Sequence, residues 1–243
     1  MIKKLFLLAI LFLTQLSFGS AFAHVLHYQK LNKLEFDLFR NNQLIGQHIY
    51  VFNRNGLNLT VHGKINFEVK MLNITLYKYS AESQEKYVNG KFESFSAKTN
   101  QNQKNKFSKI YKKKNKFFIE GSSYKGEAPE DFIVGSWWNH SITKHEVQIS
   151  TGSGRIIKQN VSFVGKENIE INNKKYSALK YNFSSKDQSL SKDKKLNMDV
   201  WYDEKTLIWL KSSYKKKVIG NIGLDLLNKL IYIKILLNLR CFF

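Results

Sequence analysis

The residues whose type and placement suggest chemistry are aromatic. Tyr77 and Tyr79 stand two apart, so a strand would turn both to one face, with Ile74 and Leu76 on the other. Trp137 and Trp138 are adjacent, with Asn139 behind them, in a segment that lacks strand alternation. Trp201 and Trp209 fall in successive strand-like runs. Flat rings with a few polar groups among them are the usual lining of a pocket for an apolar ligand. Tyr77, Tyr79, Trp137, Trp138, Asn139 and Trp201 are therefore the candidate ligand-binding residues. The competing expectation is that these rings close and fill a β core.

The commoner catalytic patterns are missing. His145-Glu146 opens like a zinc-protease helix, but position 149 is Ile where a second His is needed. His140 and His145 are five apart, the wrong spacing for one helical face, so no metal site is expected. Gly152-Ser153-Gly154 lacks the five-residue elbow that presents a nucleophilic serine and reads as a hairpin loop before a strand at Arg155. Gly121 and Gly126 are not followed by the Lys-Ser/Thr of a phosphate loop. The one thiol, Cys241, sits at the end of the chain, which excludes a disulfide framework and a multi-cysteine metal site. No catalytic residue and no cofactor is assigned, and the balance leans away from an enzyme. A hydrolase built from dispersed residues is the least favoured of three readings.

The elements that must position these residues are strands. From Leu57 to Met71, apolar and polar residues alternate over fifteen positions, which predicts a long antiparallel strand buried on one face. Shorter alternations run through Leu34-Phe36-Leu38, Ile157-Val161-Phe163 and Leu196-Met198-Val200-Tyr202. Asn55-Gly56 and Asn89-Gly90 predict two-residue hairpin turns, since both central positions take positive φ. Further turns are expected at Asn41-Asn42, Lys114-Asn115, Asn172-Asn173 and Asp203-Glu204. A single Pro in 243 residues suits long ladders. The fold class is mainly β: one strongly curved antiparallel sheet or incomplete barrel of about nine to twelve strands sharing one core. Glu127 to His140, around Pro129, breaks the pattern and could open a short helical turn. Residues 185–195 are polar and predict a loop.

The two ends differ from this body. Lys3-Lys4, the apolar run Leu5–Leu13 and Ala21-Phe22-Ala23 have the layout of a secretory signal peptide, with cleavage expected after Ala23. An exported chain of this length without a disulfide framework fits a bacterial periplasm. The domains expected are a signal peptide at 1–23, one β-rich domain at 24–217 and an apolar tail at 218–243. Residues 224–239 would make an apolar helix interrupted by Asp225, Lys229 and Lys234, charges that speak against a transmembrane span. A packed or interfacial helix and a frameshifted tail are the alternatives.

The chain is basic: 39 Lys and Arg against 19 Asp and Glu give a formal charge of +20. Only four of the 39 are Arg, whereas phosphate readers favour the Arg fork. Together with export, this argues against nucleic acid as a partner. Lys104 to Lys116 holds seven Lys and no acid. It is either a solvated hairpin guarded by its charges or a patch for anionic head groups, which makes peripheral membrane contact one expectation.

Several phrases of the sequence resemble an uncharacterised family of exported bacterial proteins, a domain of unknown function. They are FDLFRNNQLIGQHIYVF (36–52), the Tyr77-x-Tyr79 strand with EKYVNGKF (85–92), SWWN (136–139), TGSGRI (151–156), VGKENIEINNKKYSALKY (164–181) and MDVWYDEKTLIWL (198–210). Together they span about residues 34–214. The resemblance implies no activity. It is similar, more loosely, to the lipoprotein-carrier half-barrels, in which a curved sheet wraps an apolar cavity. Two departures stand out: the family's final strand should continue near 215–220, and only one short helix candidate is available to plug a cavity. The first reading of function is a non-catalytic binding or carrier module for an apolar or amphiphilic envelope ligand, such as a lipid. The second is an assembly factor that meets another envelope protein through a sheet edge or an exposed Trp137-Trp138 pair.

Overall fold

The structure is a computed structural model that describes residues 28–191, 194–217 and 232–240. The expected signal peptide lies outside the described residues. So does the tail except for 232–240.

Fifteen strands form one open sheet. They are β1 (Lys33–Arg40), β2 (Gln43–Asn55), β3 (Asn58–Met71), β4 (Ile74–Val88), β5 (Lys91–Gln101), β6 (Lys104–Lys113), β7 (Lys116–Gly121) and β8 (Lys125–Glu127). Then come β9 (Ile133–Val134), β10 (Val147–Ile149), β11 (Ile156–Ile171), β12 (Lys174–Ser185), β13 (Asn197–Asp203), β14 (Trp209–Lys217) and β15 (Tyr232–Arg240). The spatial order runs from β8 down to β1, then β15, and from β14 down to β9. Neighbours pair antiparallel except β9 with β10. The expected class is thus correct, with more strands than the nine to twelve inferred.

The difference in count has a local cause. Two-residue loops with both residues at positive φ close β1–β2 (Asn41-Asn42), β4–β5 (Asn89-Gly90), β6–β7 (Lys114-Asn115) and β11–β12 (Asn172-Asn173). Such loops match the twist of the strands they join. Leu72-Asn73 and Asn102-Gln103 are two more of the same kind, and neither shows the usual sequence signal. At Asn55-Gly56 the loop slides by one residue: Gly56 and Leu57 connect β2 to β3, and of these only Gly56 has positive φ.

Two further expectations are corrected. The short helix is not opened by Pro129. It is a 3₁₀ helix at His140–Lys144, capped by Asn139, whose Oδ1 accepts from Ser141 N (3.0 Å). In the tail, Tyr232–Arg240 is a strand between β1 and β14, where a helix was one of the readings open for 224–239; residues 224–231 lie outside the described residues. A run with apolar residues at consecutive positions cannot be told from a helix by periodicity, and pairing on both sides decides it.

The sheet curls until its ends meet. Ser123 N donates to Ser153 O (2.9 Å), joining the β7–β8 end to the β10–β11 loop without a ladder. Gly121 backs onto Ser153-Gly154 so closely that a Cβ there would collide with backbone. One core cluster runs from Leu34, Phe36 and Leu38 across to Phe183, Val200 and Tyr202. A second, around Phe95, Ile110 and Ile119, seals the region where the ends meet.

Candidate functional site

The segment between β9 and β10, residues 135–146, packs against the inner face of the curled sheet and plugs part of it. Its anchor is Trp138, fully buried, with edge-to-face contacts to Tyr28 (5.6 Å), Phe52 (5.3 Å) and Tyr87 (5.9 Å). The Trp138 indole Nε1 (3.1 Å), the Ser136 hydroxyl (2.8 Å) and the Tyr87 hydroxyl (2.5 Å) all donate to the buried Glu85 carboxyl group. Burial pushes the Glu85 pKa up, and these three donors pull against that rise. On either side of Trp138, His140 N donates to the Tyr28 hydroxyl (2.9 Å) and the Tyr202 hydroxyl donates to Trp137 O (2.9 Å).

The plug leaves a cavity of about 560 Å³ between itself and the wall formed chiefly by β2 to β5. Phe67, Tyr77 and Tyr79 form one side, with Phe67 stacked on Tyr77 (5.7 Å) and on Tyr79 (5.3 Å). Trp137, Trp209 and Met198 also line it. His48, Tyr50, Ser83 and Thr99 supply polar atoms. The space exists partly because β3 carries Gly63 there: a Cβ would press on the Ser83 hydroxyl and the Tyr50 ring. His48 is half-buried, its ring packed on Tyr50 (4.5 Å) and near Trp209 (5.9 Å). One side faces the cavity, yet enough protein surrounds it that burial pushes its pKa down to about 3, so it is neutral. Burial likewise raises Tyr50, with Glu85 and Tyr79 adding to the effect.

The cavity lies toward the end where the turns at 41–42, 72–73 and 102–103 and the loops at 150–155 and 186–196 gather, as the antiparallel order requires. Its charged lining groups are Lys106, Arg155 and Lys194, and no carboxylate lines it among the described residues. The Lys106 ammonium donates to Gln101 Oε1 (2.7 Å), and Arg155 donates to Lys194 O (3.1 Å). The remaining lysines of the 104–116 run are exposed on the β6–β7 hairpin.

Of the six candidate residues, the fold brings Tyr77, Tyr79 and Trp137 together on the cavity. Trp138 and Asn139 belong to the plug's interior. Trp201, 5 % exposed, lies elsewhere: its indole N–H donates to Glu167, and the ammonium groups of Lys180 (4.8 Å) and Lys211 (5.1 Å) sit over its ring. The Trp137-Trp138 pair is not an exposed feature, because Trp138 is tied to Glu85 and Trp137 packs on Phe183 (5.0 Å). Phe67, His48 and Trp209 were not among the candidates. Phe67 stands in the alternating run of β3, so its inward direction was readable. Among the described residues, no three His, Cys, Asp or Glu side chains come together as a metal site.

A family model described as a domain of unknown function, DUF6134, matches residues 36–226. The chain belongs to that family. Among solved structures it is similar to a β-barrel-like protein of another domain of unknown function, DUF1849, from Brucella abortus. The TM-score is 0.56 at 10% identity, over 86% of this chain and 94% of that one. That likeness concerns the fold alone. No curated protein matches the chain.

Proposed function

We propose that this DUF6134 protein is an exported binding or carrier module that holds an amphiphilic ligand of the bacterial envelope in the cavity between sheet and plug. The observation that carries the reading is one of placement. Phe67, Tyr77, Tyr79 and Trp137 line the interior, while Lys106, Arg155 and Lys194 are the charged groups of the lining. The size lies in the ~300–1,000 Å³ range of sites that hold one small molecule. Aromatic walls favour an apolar chain, and the cationic groups favour an anionic head group. The leader-like N-terminus supports export, and the apolar lining supports a lipid-like cargo.

Native mass spectrometry of gently purified protein tests the reading. A discrete added mass of lipid size is expected. Titration with amphiphiles of one chain length and anionic, neutral or cationic heads, read by intrinsic Trp fluorescence, should rank the anionic one first. Absence of binding by all three would sink the carrier reading.

A further inference from the structure

The β3–β4 hairpin reaches beyond its neighbours. β2 pairs with β3 only as far as Phe67, opposite Gly46, and β5 pairs with β4 only from Tyr79, opposite Gln101. From Glu68 to Tyr77 the two strands pair with each other alone, a two-stranded finger beside the cavity, whose wall includes Phe67 and Tyr77; at its base Asn102 N donates to Lys78 O (2.9 Å).

The tip of the finger is costly for a soluble protein. Leu72 has φ 48° and Asn73 has φ 63°. A left-handed backbone disfavours a large side chain, and the other loops of this kind here begin with Asn41, Asn89, Asn102, Lys114 or Asn172. Leu72 is also 89 % exposed, and Ile74 beside it is 58 % exposed. Among the described residues Leu72 gains almost nothing and Ile74 little from burial, so the cost in backbone and hydration has small return there. The cations around the tip are exposed as well. Lys70 lies on the finger, Lys78 at its base, and Lys104 at the start of β6, just past the neighbouring turn at 102–103. The one acid on the finger, Glu68, is drawn back by Thr75, which donates to it (2.5 Å), and is 3.5 Å from Lys70.

We propose that the finger docks on an anionic lipid bilayer: Leu72 and Ile74 enter the interface, Lys70, Lys78 and Lys104 meet the head groups, and the cavity is brought to the lipid surface. Apolar tips ringed by lysines suit this partner, because hydrocarbon takes up the tip while negative head groups attract the ring. The proposal goes beyond the cavity reading and stands without it.

Flotation of the full chain with two kinds of vesicle tests it. One is phosphatidylcholine alone, and the other is equal parts phosphatidylcholine and phosphatidylglycerol. Binding is expected on the anionic vesicles and is expected to weaken with added salt. Leu72→Asn with Ile74→Thr should reduce it about tenfold or more, since each buried apolar side chain contributes an order of magnitude. Asn suits the left-handed turn, so Leu72→Asn alone should keep or raise the Tm while still weakening binding. Because the N-terminus is the same in every sample, the difference isolates the finger. Lys70→Gln with Lys78→Gln should lower binding to anionic vesicles and leave neutral ones unchanged. Equal binding by the Leu72→Asn, Ile74→Thr variant and the parent would overturn the proposal. So would a dimer in sedimentation that the same changes dissolve, which would assign the tip to a second copy of the chain.

Discussion

Trp138 and Glu85, 53 positions apart, meet in the interior: the indole N–H donates to the carboxyl group across 3.1 Å, with both residues buried. This bond fixes the plug to the β4 wall and so sets the boundary of the cavity. Trp138→Ala is expected to destabilise the fold by about 3–5 kcal/mol, the usual range for removing a large buried ring. Trp137→Ala should cost less, because Trp137 is half-buried and faces the cavity. Chemical denaturation of the two variants checks the order.

Glu85 also titrates in a known direction. Burial raises its pKa above the ordinary 4.5, so the folded chain keeps a proton that the unfolded chain has lost. Stability from this group is full below 4.5 and declines as pH rises through the elevated value. Glu85→Gln keeps an uncharged group of similar shape and should flatten that decline. Thermal melts of parent and variant at matched pH values show whether the slope disappears.

His48 acts in the opposite sense. Its folded pKa is pushed from the ordinary 6.5 to about 3, so the unfolded chain takes up the proton first as pH falls. Its contribution to stability is present above 6.5 and is lost between there and about 3. His48→Phe retains a ring against Tyr50 and removes the titration. The variant should lose less stability than the parent between neutral and acid pH, which denaturation midpoints across that window would reveal.

How much of this was legible depends on what each feature leaves in the sequence. The alternation from Leu57 to Met71 carries the period of two because one face of β3 is buried, and Asn41-Asn42, Asn89-Gly90 and Asn172-Asn173 mark their turns because both residues of each take positive φ. Leu72 leaves no such mark, since a leucine says nothing of a left-handed turn, and the hairpin there could not be separated from its strands. The tie between Trp138 and Glu85 leaves none either: a buried acid on a strand reads as one more polar position until the plug folds over it. The candidate site split for the same reason. Tyr77 and Tyr79 could be placed by strand alternation. Trp138 and Trp201 needed tertiary partners, Glu85 in one case and Glu167 with two lysines in the other, to show that their polar N–H groups were already engaged.

Gly63 offers the most direct separation of cavity from fold. It sits on β3 between Val61 and Ile65, and any side chain there would project toward Tyr50 and Ser83. Both obstacles are side chains, so the wall can yield where a backbone clash could not. Gly63→Val should therefore fold, at a cost of about 1–3 kcal/mol for overfilling the site, partly offset by the strand preference of valine. It should also take space from the ligand and weaken amphiphile binding more than it lowers the melting temperature. Leu34, at the far end of the same core, is the control: Leu34→Ala opens the core without touching the cavity, so it should lower stability by about 2–5 kcal/mol and leave affinity in place. Affinities from Trp fluorescence, set beside melting temperatures, decide the matter. If the two variants lose affinity in proportion to their loss of stability, binding does not occur beside Gly63.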